Sequence, residues 1–250
     1  MISAVLLAAV STSPVKALDF SALLSPDLAG YEWLGGRADA FAGTSAAGSA
    51  LFNYGGFTLA PGGLDRDGPR LRLYGGAGQY SYTGGVETKS GLGADIRRRA
   101  DVVQAEVLAG WQFGMGAMTA KLFAGLAYED QQMAPPDPDN DLAGAHLGAK
   151  LAVESWFDLA SWLWFSADAS YATVHESYSG ALKLGLKPLS ALSIGPEAAA
   201  SGNREFDSHR LGGFARWHCG GCDVTLSGGI SGDYDDETGG YGALSVYTRF

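Results

Sequence analysis

Residues 142–154 alternate without a break. Ala143, Ala145, Leu147, Ala149, Leu151 and Val153 fall on one side, and Gly144, His146, Gly148, Lys150, Ala152 and Glu154 on the other. A side-chain period of two belongs to a β-strand whose faces meet different media, whereas an amphipathic helix repeats its apolar positions every 3.6 residues. The pattern recurs. Val103, Ala105, Val107, Ala109, Trp111 and Phe113 alternate with Gln104, Glu106, Leu108, Gly110 and Gln112, and Leu211, Gly213, Ala215 and Trp217 alternate with Arg210, Gly212, Phe214, Arg216 and His218. A face carrying His146, Lys150 and Glu154 is seldom buried in a soluble sandwich, which would expose it; a membrane barrel would turn it towards a wet lumen.

Read this way, the chain holds about twelve strands, near 31–41, 48–60, 69–82, 101–113, 117–128, 142–154, 161–174, 176–187, 190–199, 206–218, 222–231 and 240–250. The segments reach the roughly 9–11 residues that a tilted strand needs to cross a bilayer, and an even count returns the chain to its starting side. The expected connections at 83–100, 129–141 and 232–239 are long and fall on one side. Those at 114–116, 188–189 and 219–221 are short and fall on the other, as in outer-membrane barrels. The exceptions are 61–68 and 155–160, long for inner turns, and a very short outer turn at 175. Residues 155–162 would also suit one turn of helix.

The last strand ends the chain on an aromatic. Leu244, Val246, Thr248 and Phe250 share one face, and Ala243, Ser245, Tyr247 and Arg249 the other. Trp111, Phe113, Phe157, Phe165, Tyr171, Tyr178, Trp217 and Phe250 lie near expected strand ends, where interfacial aromatic girdles sit. Glycine supplies 37 of the 250 residues, about twice the usual share of roughly 7%, which suits sheets that bend and let other chain approach closely. The expectation is an all-β fold, a single antiparallel up-and-down outer-membrane β-barrel of about twelve strands, with a soluble β-sandwich as the alternative.

Ahead of the strands, Ile2 to Val10 is apolar and Val15-Lys16-Ala17 ends on a small residue. This is the pattern of an export signal over 1–17, with a mature chain from near Leu18, although the usual positive n-region is missing; a buried N-terminal helix is the other reading. Residues 18–30 would then be a periplasmic segment and 31–250 the barrel. Cys219-Gly220-Gly221-Cys222 joins two strand-like segments. A four-ligand zinc site needs more Cys or His than this pair, with only four His in the whole chain, and a redox pair would open a helix, so a disulfide between Cys219 and Cys222 is expected. A net charge of −10 argues against nucleic acid, whose phosphates demand a basic footprint.

Several segments, in their order and spacing, resemble one family. They are Gly36-Arg37-Ala38-Asp39-Ala40; Leu64-Asp65-Arg66-Asp67-Gly68-Pro69-Arg70-Leu71-Arg72 running into Tyr74-Gly75-Gly76-Ala77-Gly78-Gln79-Tyr80; Gly125-Leu126-Ala127-Tyr128-Glu129-Asp130 before Pro136-Asp137-Pro138; Ile194-Gly195-Pro196-Glu197; and Arg210-Leu211-Gly212-Gly213-Phe214. Over roughly 31–250 the chain resembles the cellulose biosynthesis protein BcsS family. The resemblance implies a non-enzymatic accessory of bacterial cellulose or exopolysaccharide production at the outer membrane. Membrane lipid is its expected surrounding, and a glucan chain and cellulose-secretion proteins its expected partners. It transfers no catalytic residue and no cofactor.

His146 and His218 have inward parity, wrong for attack on a bilayer substrate, while His175 with Ser177 and His209 with Ser208 sit near strand ends. Glu106, Glu154, Asp168 and Glu197 point inward together with Arg70, Arg72, Lys121, Lys150, Lys183, Arg210, Arg216 and Arg249. Charges of both signs on one face must pair to offset desolvation, which favours an ion-paired lumen over a glycosidase carboxylate pair. Arg37, Arg70, Arg72, Glu106, Lys150 and Glu197 are the expected lumen network. Asp137, Asp139, Asn140 and Asp141 open like a calcium loop, but Leu142 stands where Gly is required and no closing Glu follows, so no metal site is expected. Together with Asp233, Asp235, Asp236 and Glu237 they read as solvated outer loops, and Arg97-Arg98-Arg99 as a loop that would meet solvent or anionic headgroups. Trp33, Tyr74, Trp162 and Trp164 have inward parity; filling space is the plainer role for them, and their flat faces are the weak candidates for sugar contact.

Overall fold

The computed structural model describes residues 35–86, 94–137, 140–232 and 238–250. The expected export signal and the segment 18–30, and with them Trp33, lie outside the described residues, as do Asp139 and the acidic stretch 233–237.

Twelve strands form one closed antiparallel barrel: β1 (Ala38–Ala47), β2 (Ala50–Leu59), β3 (Gly68–Val86), β4 (Ala94–Met115), β5 (Met118–Ala134), β6 (Gly144–Ala160), β7 (Leu163–Ala172), β8 (Tyr178–Leu189), β9 (Leu192–Gly202), β10 (Asp207–His218), β11 (Cys222–Gly232) and β12 (Thr238–Arg249). Every strand pairs with its neighbours in sequence, and β12 closes on β1 from Asp39↔Arg249 to Ala47↔Tyr241. Closure leaves no edge with unpaired backbone groups, which is what a sheet immersed in hydrocarbon requires. The soluble sandwich is thereby excluded. No described helix is long and apolar enough to cross a membrane.

The period-two pattern becomes two surfaces. Outside stand Val107, Leu126, Leu151, Leu182, Leu211 and Leu226, each about half or more exposed. In water such a belt would be a liability; in a bilayer it is the wetted face. Trp111, Phe113 and Trp217 ring its inner end, and Tyr128, Tyr171 and Tyr178 its outer end, all exposed at the levels where amphipathic rings favour the interface. The protein is an outer-membrane β-barrel.

Both described termini meet at one end, where Phe250 N–H donates to the Ala38 carbonyl at 2.9 Å. This is the inner end, with tight turns at 116–117, 161–162, 190–191 and 219–221, and one longer turn at 60–67. Three connections differ from expectation. β6 continues to Ala160 through an irregularity at Asp158/Ala160, so residues 155–160 are neither an inner turn nor a helix. The expected loop 83–100 is mostly sheet, because β3 and β4 stay paired out to Val86↔Ala94. The outer turn near 175 spans 173–177 and holds a 3-10 turn, Val174–Glu176.

Inward-facing glycines explain much of the glycine content. A Cβ on Gly185 would overlap the Trp164 ring, one on Gly56 the Phe41 ring, and one on Gly110 the Phe123 ring. The bare backbone lets large aromatics lie flat on the inner wall.

Candidate functional site

The lumen is built in three tiers. At the inner end the turn 60–67 folds onto the barrel. Buried Arg70 holds it, donating to the carbonyl oxygens of Gly63 (3.2 Å), Leu64 (3.2 Å) and Arg66 (2.7 Å) as well as Pro69 (2.9 Å). Gln112 Nε2 adds a bond to the Leu64 carbonyl at 3.1 Å. A guanidinium has five fixed donors, so one side chain satisfies a turn whose carbonyls point inward. Gly63, at φ 104°, supplies the reversal that other residues rarely adopt.

The second tier consists of two arginine–aromatic stacks. Arg72 meets Glu154 in a two-pronged ion pair, with Nη2 to Oε2 at 3.0 Å, and its Nε donates to Thr58 Oγ1 at 3.3 Å. Its guanidinium lies 4.1 Å from the centre of the Phe123 ring, and Lys121 Nζ approaches Glu154 at 3.5 Å. Elsewhere on the wall, Trp156 and Trp164 stack at 4.1 Å, and Arg216 lies 4.6 Å from the Trp164 ring and 5.3 Å from that of Trp156. Trp164 is fully buried, touches Phe214 and donates Nε1–H to Ser193 Oγ at 3.2 Å. Arginine is suited to this place because a weakly hydrated planar cation gains from both ring faces and carboxylates. With buried Asp39, Thr58 and Leu108, these side chains crowd the inner part of the lumen.

The third tier is the floor of a cavity of about 1,110 Å³ that runs to the outer rim, where Ser49, Tyr82, Asn140, Ser177 and Glu205 line it. Lys150 pairs with Glu106, and Lys183 with Glu197 at 2.8 Å. Glu197 also accepts from Ser227 Oγ (2.9 Å) and Tyr241 OH (2.8 Å), and Arg210 donates to Ser45 Oγ at 2.9 Å. Tyr54 and Tyr74 stack at 6.3 Å beside them.

Two outer loops contribute to the rim. Tyr82 OH donates to Asp137 Oδ2 at 2.7 Å, and Arg98 Nε stands 3.5 Å from the same carboxylate. The turn 173–177 packs on Gly148, where a Cβ would collide with Thr173 and Val174. Its His175, at φ 52°, is buried, lies 4.5 Å ring to ring from His146 and has Nε2 3.7 Å from Glu129 Oε1. Burial holds the His175 imidazole below its ordinary basicity, and the neighbouring His146 and Arg204 act the same way against the opposing pull of Glu129.

The six expected network residues take separate places. Arg72, Glu106, Lys150 and Glu197 are ion-paired in the lumen, in three distinct clusters. Arg70 serves carbonyls and has no carboxylate partner within salt-bridge distance among the described residues. Arg37 is a correction: it sits exposed in the turn before β1, outside the network. Of the aromatics, Tyr74 lines the cavity and Trp164 lies buried beneath it. Trp162 is also corrected, because its position falls in the turn 161–162 and its side chain is 57% exposed.

His209 faces outward and Ser208 inward, so they form no pair, and the buried His175 has its ring against His146 and Glu129. Arg98 faces inward on β4 rather than reaching headgroups from a loop. Asp137 is committed to Arg98 and Tyr82, and Asn140 Oδ1 accepts from Leu142 N–H at 2.9 Å. Among the described residues no group of three or more His, Cys, Asp or Glu is placed to hold a metal ion. Cys219 and Cys222 are joined, with Cα atoms 5.1 Å apart. Sequence reasoning missed Trp156 and its partnership with Arg216. Extending the β6 alternation by one step past Glu154 would have found it.

No curated protein matches the chain in sequence. Among solved structures, the translocator domain of the autotransporter NalP from Neisseria meningitidis superposes with a TM-score of 0.51 at 11% identity, covering 89% of this chain and 92% of that one. The transport unit of the autotransporter AIDA-I from Escherichia coli gives 0.47 at 14%, covering 91% and 94%. The KdgM porin gives 0.46 at 7%, covering 85% and 99%. Residues 40–250 match the family model described as cellulose biosynthesis protein BcsS.

Proposed function

We propose, for a chain that belongs to the cellulose biosynthesis protein BcsS family, a role as a non-enzymatic accessory in the outer membrane that works with the cellulose or exopolysaccharide assembly apparatus. One observation carries this reading: the Arg72–Glu154 and Arg216–Trp156–Trp164 assemblies crowd the inner part of the lumen, whereas a cavity runs from there to the outer rim. A barrel so crowded is suited to holding material at the outer face, not to passing solute. Three of the four inward carboxylates on which a glycosidase could draw, Glu154, Glu106 and Glu197, are taken up by Arg72, Lys150 and Lys183, which supports a binding role.

Two measurements test it. Deletion of the gene is expected to change cellulose yield or fibre architecture, with restoration by the wild-type chain; an unaltered product in the deletion strain would sink the role. In planar bilayers the purified barrel is expected to be silent. Steady open current would identify a porin instead.

A further inference from the structure

The outer cavity has a composition that selects among ligands. Its lining includes three cations, Lys150, Lys183 and Arg210, against five carboxylates, Glu106, Glu129, Asp137, Glu197 and Glu205. Lys150 and Lys183 are each engaged by a carboxylate, and Arg210 by Ser45 and, at 5.8 Å, the Tyr241 ring. An anionic polymer would have to displace these pairs and would meet an excess of negative charge, so it is disfavoured twice.

Aromatic faces and hydroxyls occupy the rest. Tyr54 and Tyr74 stack at the floor; Tyr80, Tyr82 and Phe206 cluster towards the rim, with ring centres 5.9 Å apart along the series. All five are half-buried, fixed against the wall and yet part of the lining. Between them stand serines such as Ser170 and Ser179, whose hydroxyls share a 2.8 Å hydrogen bond and switch freely between donor and acceptor. A sugar ring is both things at once: a flat patch of C–H groups and a rim of hydroxyls. The volume, about 1,110 Å³, lies just above the roughly 300–1,000 Å³ typical of ligand pockets, room for several linked rings and not for one.

We infer that this cavity binds a segment of an uncharged polysaccharide entering from the outer side, stacked between the Tyr80–Phe206 cluster at the rim and the Tyr54–Tyr74 pair at the floor. The inference rests on the accessory reading above and names the ligand class of its cavity. Tyr74 keeps the sugar-contacting role that its parity suggested. Trp164, sealed in the second tier, and Trp162, outside the lumen, have none.

The test is calorimetric titration of the full chain in a polyoxyethylene detergent, because a maltoside headgroup would compete. Cellopentaose is the uncharged probe and an oligogalacturonate of equal length the anionic one. Cellopentaose is expected to bind, and Tyr80→Ala and Phe206→Ala each to weaken it about tenfold or more through loss of a stacking face, with heat-modifiable gel mobility retained as proof of folding. Oligogalacturonate is expected not to bind. Absence of cellopentaose binding, equal or tighter oligogalacturonate binding, or unchanged affinity in both folded variants would each overturn the inference. A failed titration leaves the deletion phenotype and the conductance result standing, so failure of the ligand assignment and failure of the accessory role are told apart.

Discussion

Arg72 on β3 grips Glu154 on β6 across the lumen, although two strands of wall separate them and neither touches the other's strand in the sheet. This contact bridges the barrel interior instead of running along its surface, and Phe41, Phe123 and Lys121 gather around it. Glu154→Gln is expected to destabilise the folded barrel by about 1–3 kcal/mol, the lower part of that range applying where water reaches the carboxylate. Denaturant titration in detergent reads this. The double variant Arg72→Ala with Glu154→Ala is expected to introduce current in planar bilayers where the wild type shows none; a silent double variant would mean that the Arg216 stack alone closes the lumen.

Gly185 and Trp164 are a matched pair. Because a Cβ on Gly185 would overlap the indole, Gly185→Ala is expected to cost about 1–3 kcal/mol as an overpacked site. Trp164→Ala is expected to cost about 3–5 kcal/mol as a cavity. Combining Gly185→Ala with Trp164→Leu should recover part of the first loss. Strict additivity in denaturant midpoints would show that the two residues do not share one site.

The turn 173–177 should loosen in acid. His175 is less basic in place than its ordinary value of 6.5, so the undocked turn binds the proton more readily. Docking is therefore at full strength above about pH 6.5 and weakens as pH falls below it. Protection factors of the amides at Thr173, Glu176 and Ser177, with the intrinsic pH dependence of exchange divided out, are expected to fall as pH is lowered from 7.5 to 5. His175→Gln should abolish the dependence, and persistence of it in that variant would assign the effect to another group.

Reduction of the Cys219–Cys222 bond is expected to be tolerated. The bond closes a loop with a sequence separation of 3, which constrains the unfolded chain by only about 2 kcal/mol. β10 and β11 remain laddered from His209↔Gly232 to His218↔Asp223. Heat-modifiable mobility should survive reductant and the Cys219→Ser/Cys222→Ser variant alike. Loss of the folded band would show that the turn is needed to close the barrel.

The alternation of residues 142–154 was enough to determine a strand with one apolar face, because parity is a local property of an extended chain; its recurrence pointed to a barrel, and closure of β12 on β1 excluded the soluble sandwich. The same rule determined that Arg70, Arg72, Glu106, Lys150 and Glu197 turn inward. It could not tell Trp162 from Trp164, since two residues of equal parity differ only by where a turn ends and a strand begins. Nor could it show that Arg70 would bind carbonyls, because the turn 60–67 had first to fold back onto it. Which charge meets which was decided only by closure. Strand tilt and stagger set the heights at which side chains face one another across the lumen, so Arg72 found Glu154, Arg216 found two tryptophans, and a crowded inner part came to lie beneath an outer cavity.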